Sequence, residues 1–141
     1  MSTTLSLQDI KDAATRIHGH VVHTPVLERQ HKDATLLIKP EGLQPIGAFK
    51  LRGAINKMAT LPSDCRGVVA HSSGNHAQAV ARAAKLLGIP AIIVMPNDAP
   101  PLKRQRTEAD GAEVIVVGPD SDERRDLARA IAKERGLVAI E

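Results

Sequence analysis

Four short runs of β-branched and apolar residues recur along the second half of the chain: Gly67–Ala70, Ala91–Met95, Glu113–Val117 and Leu137–Ile140. Segments of helical character separate them, at about Asn75–Leu87, Pro101–Ala109 and Ser121–Arg135. Gly88, Gly111 and Gly136 stand just past the helical segments, where a left-handed residue closes a helix, and Pro100-Pro101 opens the second one. Strands alternating with helices of this length imply βαβ units, hence a parallel sheet with right-handed crossovers. The runs are apolar throughout rather than alternating, as in strands covered on both faces. The expected fold class is therefore α/β, a three-layer arrangement around a parallel sheet.

The first half is less regular. Ser6 followed by Asp9 reads as a helix start, and Leu7, Ile10, Ala13, Ala14 and Ile17 form a helical apolar stripe. Thr24-Pro25 favours an extended course over Val21–Val26. Thr35–Lys39 reads as a short buried strand, Pro40–Gly47 as a loop, and Phe49–Leu61 as a helix that stops near Pro62.

Composition excludes several classes of function. At 141 residues the chain is about one domain's worth, with the 43% hydrophobic and 25% charged content of an ordinary globular protein. A net charge of +3 could attract an anionic partner, but there is no Trp or Tyr and only one Phe to stack against bases, so no nucleic-acid partner is expected. The basic run Lys103, Arg104 and Arg106 is followed by Glu108 and Asp110 and reads as a solvated helix surface. Cys65 is the only cysteine, so no intramolecular disulfide can form and a reducing compartment is expected. Met1–Ile10 has neither the charged start nor the apolar core of a signal peptide, and the apolar run Ala91–Met95 is too short to cross a bilayer. The expected location is the cytoplasm, without membrane association. His18, His20 and His23 lie close in sequence, but no Cys or carboxylate joins them at ligand spacing, and no metal site is expected.

Two loops carry chemistry. The first, Gly42-Leu43-Gln44-Pro45-Ile46-Gly47-Ala48-Phe49-Lys50-Leu51-Arg52-Gly53-Ala54, puts Lys50 in the first turn of a helix, where the macrodipole and unpaired N–H groups disfavour positive charge. Desolvation there would make its neutral amine available as nucleophile or base. Taken alone, a lysine at a helix start is ordinarily an exposed charge. The second loop, His71-Ser72-Ser73-Gly74-Asn75-His76, follows a parallel strand and enters a helix, the place where α/β proteins bind ligands. Gly74 permits close backbone approach, and hydroxyls with helix N–H groups suit a carboxylate or phosphate. Ordinary N-capping accounts for one Ser or the Asn, but not for four polar residues around one glycine. A non-catalytic module binding such an anion through this loop is the alternative to an enzyme.

The pair "GAFKLRGA" and "HSSGNHAQA" resembles the signature of fold-type II pyridoxal-phosphate (PLP) enzymes, in the threonine/serine dehydratase and serine racemase branch. "HTPVLE" and "AKLLGIPAIIVMPNDAPPLKRQRTEADGAEVIVV" extend the resemblance from roughly residue 10 to the end. The resemblance implies a tryptophan synthase beta-like PLP fold and PLP as cofactor. Lys50 would form the imine with PLP and, once freed by substrate, remove the Cα proton. Phe49 would pack against the cofactor, and Asn75 would hydrogen-bond the pyridine 3′-oxygen. Ser72, Ser73, Gly74, Asn75 and His76 would surround the substrate carboxylate, and Ser73 would exchange a proton on the face opposite Lys50. The implied reaction is dehydration of a 3-hydroxy amino acid such as threonine or serine, through an aminoacrylate that hydrolyses to a 2-oxo acid and ammonia. Racemisation uses the same loops, and a full-length member is expected to be a homo-oligomer.

This sequence departs from the family pattern at two points. Ala48 stands where serine is usual, which removes a hydroxyl near the cofactor. The chain is also much shorter than family members, whose phosphate-cradling glycine-rich loop lies downstream of the position of Glu141; the ten glycines here are all isolated. The expectation is a truncated form: residues 1–62 as the opening of the large lobe, residues 66–141 as the small lobe, weak PLP binding and no independent turnover. The first 62 residues would then expose apolar surface.

Overall fold

The computed structural model describes residues 4–141, so the first three residues of the Met1–Ile10 stretch lie outside it. Helix α1 (Leu7–Ile17) starts at a reciprocal capping box, in which Asp9 N–H donates to Ser6 Oγ and Ser6 N–H donates to the Asp9 carboxylate at 2.8 Å. Strands β1 (Leu27–His31) and β2 (Ala34–Ile38) pair antiparallel around a two-residue turn in which Lys32 takes φ 51°. The expectation at Thr35–Lys39 needs correction. A strand is present, shifted by one residue, but every residue of it is exposed. Its partner β1 is equally exposed, because a two-stranded ribbon has two faces and neither is covered here.

After the 3-10 turn Glu41–Leu43, the chain alternates regularly. Helix α2 (Lys50–Met58) is followed by β3 (Val68–His71), α3 (Asn75–Leu87), β4 (Ala91–Pro96), α4 (Pro101–Ala109), β5 (Glu113–Val117), α5 (Ser121–Arg135) and β6 (Val138–Ala139). The four strands β3 to β6 form one parallel sheet in the order β5-β4-β3-β6. Gly88 and Gly136 close α3 and α5 in the left-handed conformation, at φ 67° and 65°, and Gly111 follows the α4 cap residue Asp110 at φ 88°.

Alternation along the strands divides the core into two layers. Val68, Ala70, Ile93 and Met95 join α2 and α3, whereas Val69, Ile92 and Val94 pack with Ala128 and Ile131 of α5 on the other face. Helix α2 buries Leu51, Ala54, Ile55 and Met58, a stripe at helical spacing. The facing side of α3 is built of Ala77, Val80, Ala81 and Ala84, small residues that let the two helices approach closely. Each fully buried large side chain of the α2 stripe contributes about 1.5–3 kcal/mol. Coverage on both faces holds for β3 and β4 only; β5 and β6 are sheet edges and are partly exposed.

Beyond β3 the topology changes direction. The chain moves outward from β3 to β4 and β5, then returns through α5 to add β6 on the opposite side of β3. A crevice opens at such a reversal, outside the carboxyl ends of the strands. The loop that leaves β3 is Ser72–Gly74.

Candidate functional site

The lysine loop is held by a polar knot built around Glu41. Its carboxylate accepts from Arg52 Nε at 2.7 Å and Arg52 Nη2 at 2.8 Å, and from Thr24 Oγ1 at 2.6 Å. Gln44 Nε2 adds a longer bond at 3.2 Å, and Gln44 also pairs with the Val22 backbone in both directions. Thr24 and Gln44 are buried, so these bonds satisfy groups that water cannot reach. The Arg52 guanidinium, followed by the other donors, holds the Glu41 carboxyl down at about 2, against an ordinary 4.5. The segment around Val22–Thr24, the loop and α2 are thereby fastened together.

From that anchor the chain turns at Gly47, whose N–H bonds Gln44 O at 2.7 Å and whose φ of 73° suits glycine. Ala48 and Leu51 are buried, and between them Phe49 and Lys50 face outward. The Lys50 ammonium lies 5.6 Å from the centre of the Phe49 ring, a cation–π distance. Ala48 packs into the apolar core. The lysine is thus presented between buried neighbours rather than buried itself, and the desolvation that a buried site would give is not supplied by the described residues.

The second loop lies at the topological reversal. Ser72 N–H continues the sheet ladder to Val94 O at 3.1 Å, and Ser72 Oγ accepts from Gly74 N–H at 3.1 Å. Ser73 is exposed. Asn75 begins α3, so the N–H groups of its first turn have no partner within the helix. Just before the loop, burial and the charge of Arg124 push the His71 imidazole below its usual range, with Glu141 opposing.

Two details differ from the sequence expectation. The His76 ring is turned away from the loop: Nε2 donates to Ile140 O at 3.1 Å, tying α3 to the end of the chain. The backbone N–H of His76 remains in the first turn of α3, where it has no partner within the helix. Beside Gly74 stands Lys103, which the sequence does not assign to the loop. Its Nζ would lie 3.2 Å from a Cβ placed on Gly74, and it donates to Asn75 Oδ1 at 3.0 Å. Lys103 reads in the sequence as part of a solvated basic run, and this is corrected: it is half-buried and reaches back over the loop, while Arg104 beside it pairs with Glu108 at 2.9 Å in the expected way. A lysine in the first turn of α4, where the helix dipole disfavours it, was the one available signal.

The two loops lead into neighbouring helices. Helices α2 and α3 pack directly, with Lys50 and Asn75 as their first residues. Pro45 and Ile46 of the lysine loop share a cavity of about 200 Å³ with Gln78, Arg82, Arg106 and Asp110. Around Ser72–Asn75 the donors are helix N–H groups, a Ser73 hydroxyl, the Asn75 carboxamide and the Lys103 ammonium. This set suits a phenolate or carboxylate oxygen, and therefore fits the anionic ring oxygen of pyridoxal phosphate and the carboxylate of an amino acid. Among the described residues no three His, Cys, Asp or Glu side chains gather as metal ligands.

Comparison with known proteins gives a consistent family. The model of the family described as "Pyridoxal-phosphate dependent enzyme" matches residues 17–141. The chain is 46% identical over 138 residues to an L-threo-3-hydroxyaspartate ammonia-lyase of Saccharomyces cerevisiae, covering 94% of this chain and 42% of the relative. A catabolic L-threonine dehydratase of Staphylococcus aureus is 40% identical over 143 residues, covering 96% of this chain and 41% of the relative. The solved structure of maize serine racemase superposes with a TM-score of 0.90 at 39% identity, over 99% of this chain and 44% of that one. The chain thus spans less than half the length of each.

Proposed function

The chain belongs to the pyridoxal-phosphate-dependent enzyme family, and from that premise we propose that it carries the lysine and substrate-loop machinery of a 3-hydroxy-amino-acid ammonia-lyase of the threonine/serine dehydratase type. The observation that carries this reading is the packing of the two helices that the loops open. Lys50 and Asn75 each open one of two packed helices, and the lysine loop shares a cavity with α3.

When bound, pyridoxal phosphate supplies an electron sink for negative charge developing at the substrate Cα. The protein's part is attachment, orientation and proton transfer. Lys50 Nζ is the point of covalent attachment and the base that takes the Cα proton. The Phe49 ring, 60% exposed, offers a flat apolar face beside it. Asn75 donates through Nδ2 to the ring oxygen of the cofactor. Ser72, Ser73, Gly74 and the first-turn N–H groups of Asn75 and His76 hold the substrate carboxylate, so that Cα–H points toward Lys50. The substrate is a 3-hydroxy amino acid such as threonine or serine, and loss of its hydroxyl leads to a 2-oxo acid and ammonia. The names of the yeast and staphylococcal relatives support this substrate class.

Racemisation is the second reading, favoured by the likeness to maize serine racemase and by the exposed Ser73 hydroxyl as a proton group opposite Lys50. No described helix is long and apolar enough to cross a membrane, and the lone Cys65 supports a reducing, cytoplasmic location.

Treating the chain with pyridoxal phosphate and then borohydride tests the assignment. Peptide mapping should find the reduced label on Lys50 and lose it in Lys50→Ala. Label confined to other lysines, or unchanged in that variant, overturns it. With pyridoxal phosphate and L-threonine, L-serine or L-threo-3-hydroxyaspartate, this chain alone should give no turnover; any product it does form, 2-oxo acid against D-amino acid, separates lyase from racemase.

A further inference from the structure

We propose that Lys103 is a positioning residue, which fixes the orientation of the Asn75 carboxamide so that Nδ2 is presented to the ligand. The proposal rests on the assignment of Asn75 to the cofactor ring oxygen made above.

The geometry is specific. Lys103 is the third residue of α4, and its flanking residues Leu102 and Arg104 are exposed while it is half-buried. Its Nζ donates to Asn75 Oδ1 at 3.0 Å and packs over the α-carbon of Gly74, where a Cβ would come within 3.2 Å. A Cβ at position 74 would crowd this ammonium, so glycine leaves it room beside Asn75. An ammonium has donors only, so it can pair with the carboxamide oxygen and not with the nitrogen. An asparagine amide free to turn could present either end to a ligand; with Oδ1 engaged, Nδ2 is the end left free. A ligand at this point must then offer an acceptor.

A cation in the first turn of α4 opposes the helix dipole, at a cost of about 0.3–1 kcal/mol. The N-terminus of α3, at Asn75, adds a second positive end. Among the described residues the one recorded partner of the Lys103 ammonium is the neutral Asn75 carboxamide. Positive charge gathered in this way favours an ionised oxygen at Asn75 Nδ2, which matches a phenolate and not a neutral hydroxyl.

The test has two arms on the full 141-residue chain. In the first, the Asn75 side-chain NH2 resonances are assigned by comparison with Asn75→Ala and followed in Lys103→Met and Lys103→Arg, without cofactor. Lys103→Met should shift them and Lys103→Arg should largely preserve them; unmoved resonances in Lys103→Met overturn the role. In the second, the yield of borohydride-fixed label on Lys50 is measured at subsaturating pyridoxal phosphate. Lys103→Met should lower it about tenfold, as expected for loss of a charge-assisted hydrogen bond, and should cause no further loss in the Asn75→Ala background. Equal losses in both backgrounds overturn the proposal. The two failures are separable: a parent chain that takes no label on Lys50 sinks the cofactor assignment, whereas the amide resonances decide the Lys103–Asn75 contact by themselves.

Discussion

Arg52 grips Glu41 with two prongs, Nε to Oε2 at 2.7 Å and Nη2 to Oε1 at 2.8 Å, and so fastens the first turn of α2 to the loop that precedes Lys50. The pair is partly shielded, and the same carboxylate also accepts from Thr24. Removing the guanidinium leaves Glu41, beside a buried threonine and glutamine, with only the more distant Lys39 ammonium at 3.8 Å as a cation partner. Arg52→Ala should therefore lower stability by about 2–3 kcal/mol in urea unfolding. Arg52→Lys keeps the charge but loses the fork, and should recover only part of that loss.

The same pair sets a pH dependence. The Glu41 carboxyl is held at about 2 in the folded chain, against an ordinary 4.5. A carboxyl depressed on folding contributes stability in full above the unfolded value and loses it as pH falls through the folded one. The stability difference between the parent chain and Glu41→Gln should be flat above about pH 5 and shrink steadily from there toward pH 2. A difference that stays constant across this window would show that the carboxylate charge is not what holds the loop.

His71 acts in the same direction at higher pH. Its imidazole is lowered on folding, chiefly by burial and then by Arg124, so the unfolded chain binds the proton more readily. Stability should fall as pH drops below the ordinary 6.5, and His71→Gln should flatten the slope there. Parallel unfolding titrations of the two chains measure it.

The sheet and its helices were legible because periodicity and punctuation agreed. Asn75–Leu87 closed by Gly88 and Ser121–Arg135 closed by Gly136 have the bounds that the sequence indicates, since the glycines mark positions of positive φ. The β1–β2 ribbon was not legible as a pair. Leu27–His31 carries one large apolar residue, and its strand character comes from pairing with β2 rather than from any alternation of its own. At the site, the sequence located both loops but not what each side chain does inside them. Residues 28 and 64 positions away decide that: Lys103 reaches Asn75 from α4, and Ile140, just past β6, draws off the His76 ring. Such contacts depend on how parallel strands stack, which no local pattern encodes.

Gly67 should prove less replaceable than the helix-closing glycines. At Gly88 a Cβ meets open space, and Gly88→Ala should cost the left-handed penalty alone, about 1–2 kcal/mol. At Gly67, with φ 151°, a Cβ would lie 2.9 Å from Pro90 O. That oxygen accepts the Val68 N–H at 2.8 Å, the bond that starts the β3–β4 ladder. Displacing it disturbs the sheet itself, so Gly67→Ala should cost about 3 kcal/mol or more. Thermal unfolding of both variants ranks them, and equal midpoints would refute the steric argument.

The exposed ribbon should govern association of this chain. In the β1–β2 register Leu27 lies opposite Ile38 and Arg29 opposite Leu36, which places Leu27, Leu36 and Ile38 on one face of the ribbon. All three are exposed, as is Leu37 on the other face. Uncovered apolar strands with free edges favour pairing with another chain. Sedimentation should show mass increasing with protein concentration, and Leu36→Lys with Ile38→Glu should suppress it. Because those side chains are solvent-exposed, the double variant should unfold within about 0.5 kcal/mol of the parent chain. Undiminished association in that variant would place the contact elsewhere, with the exposed Leu7 and Ile10 of α1 the next face to alter.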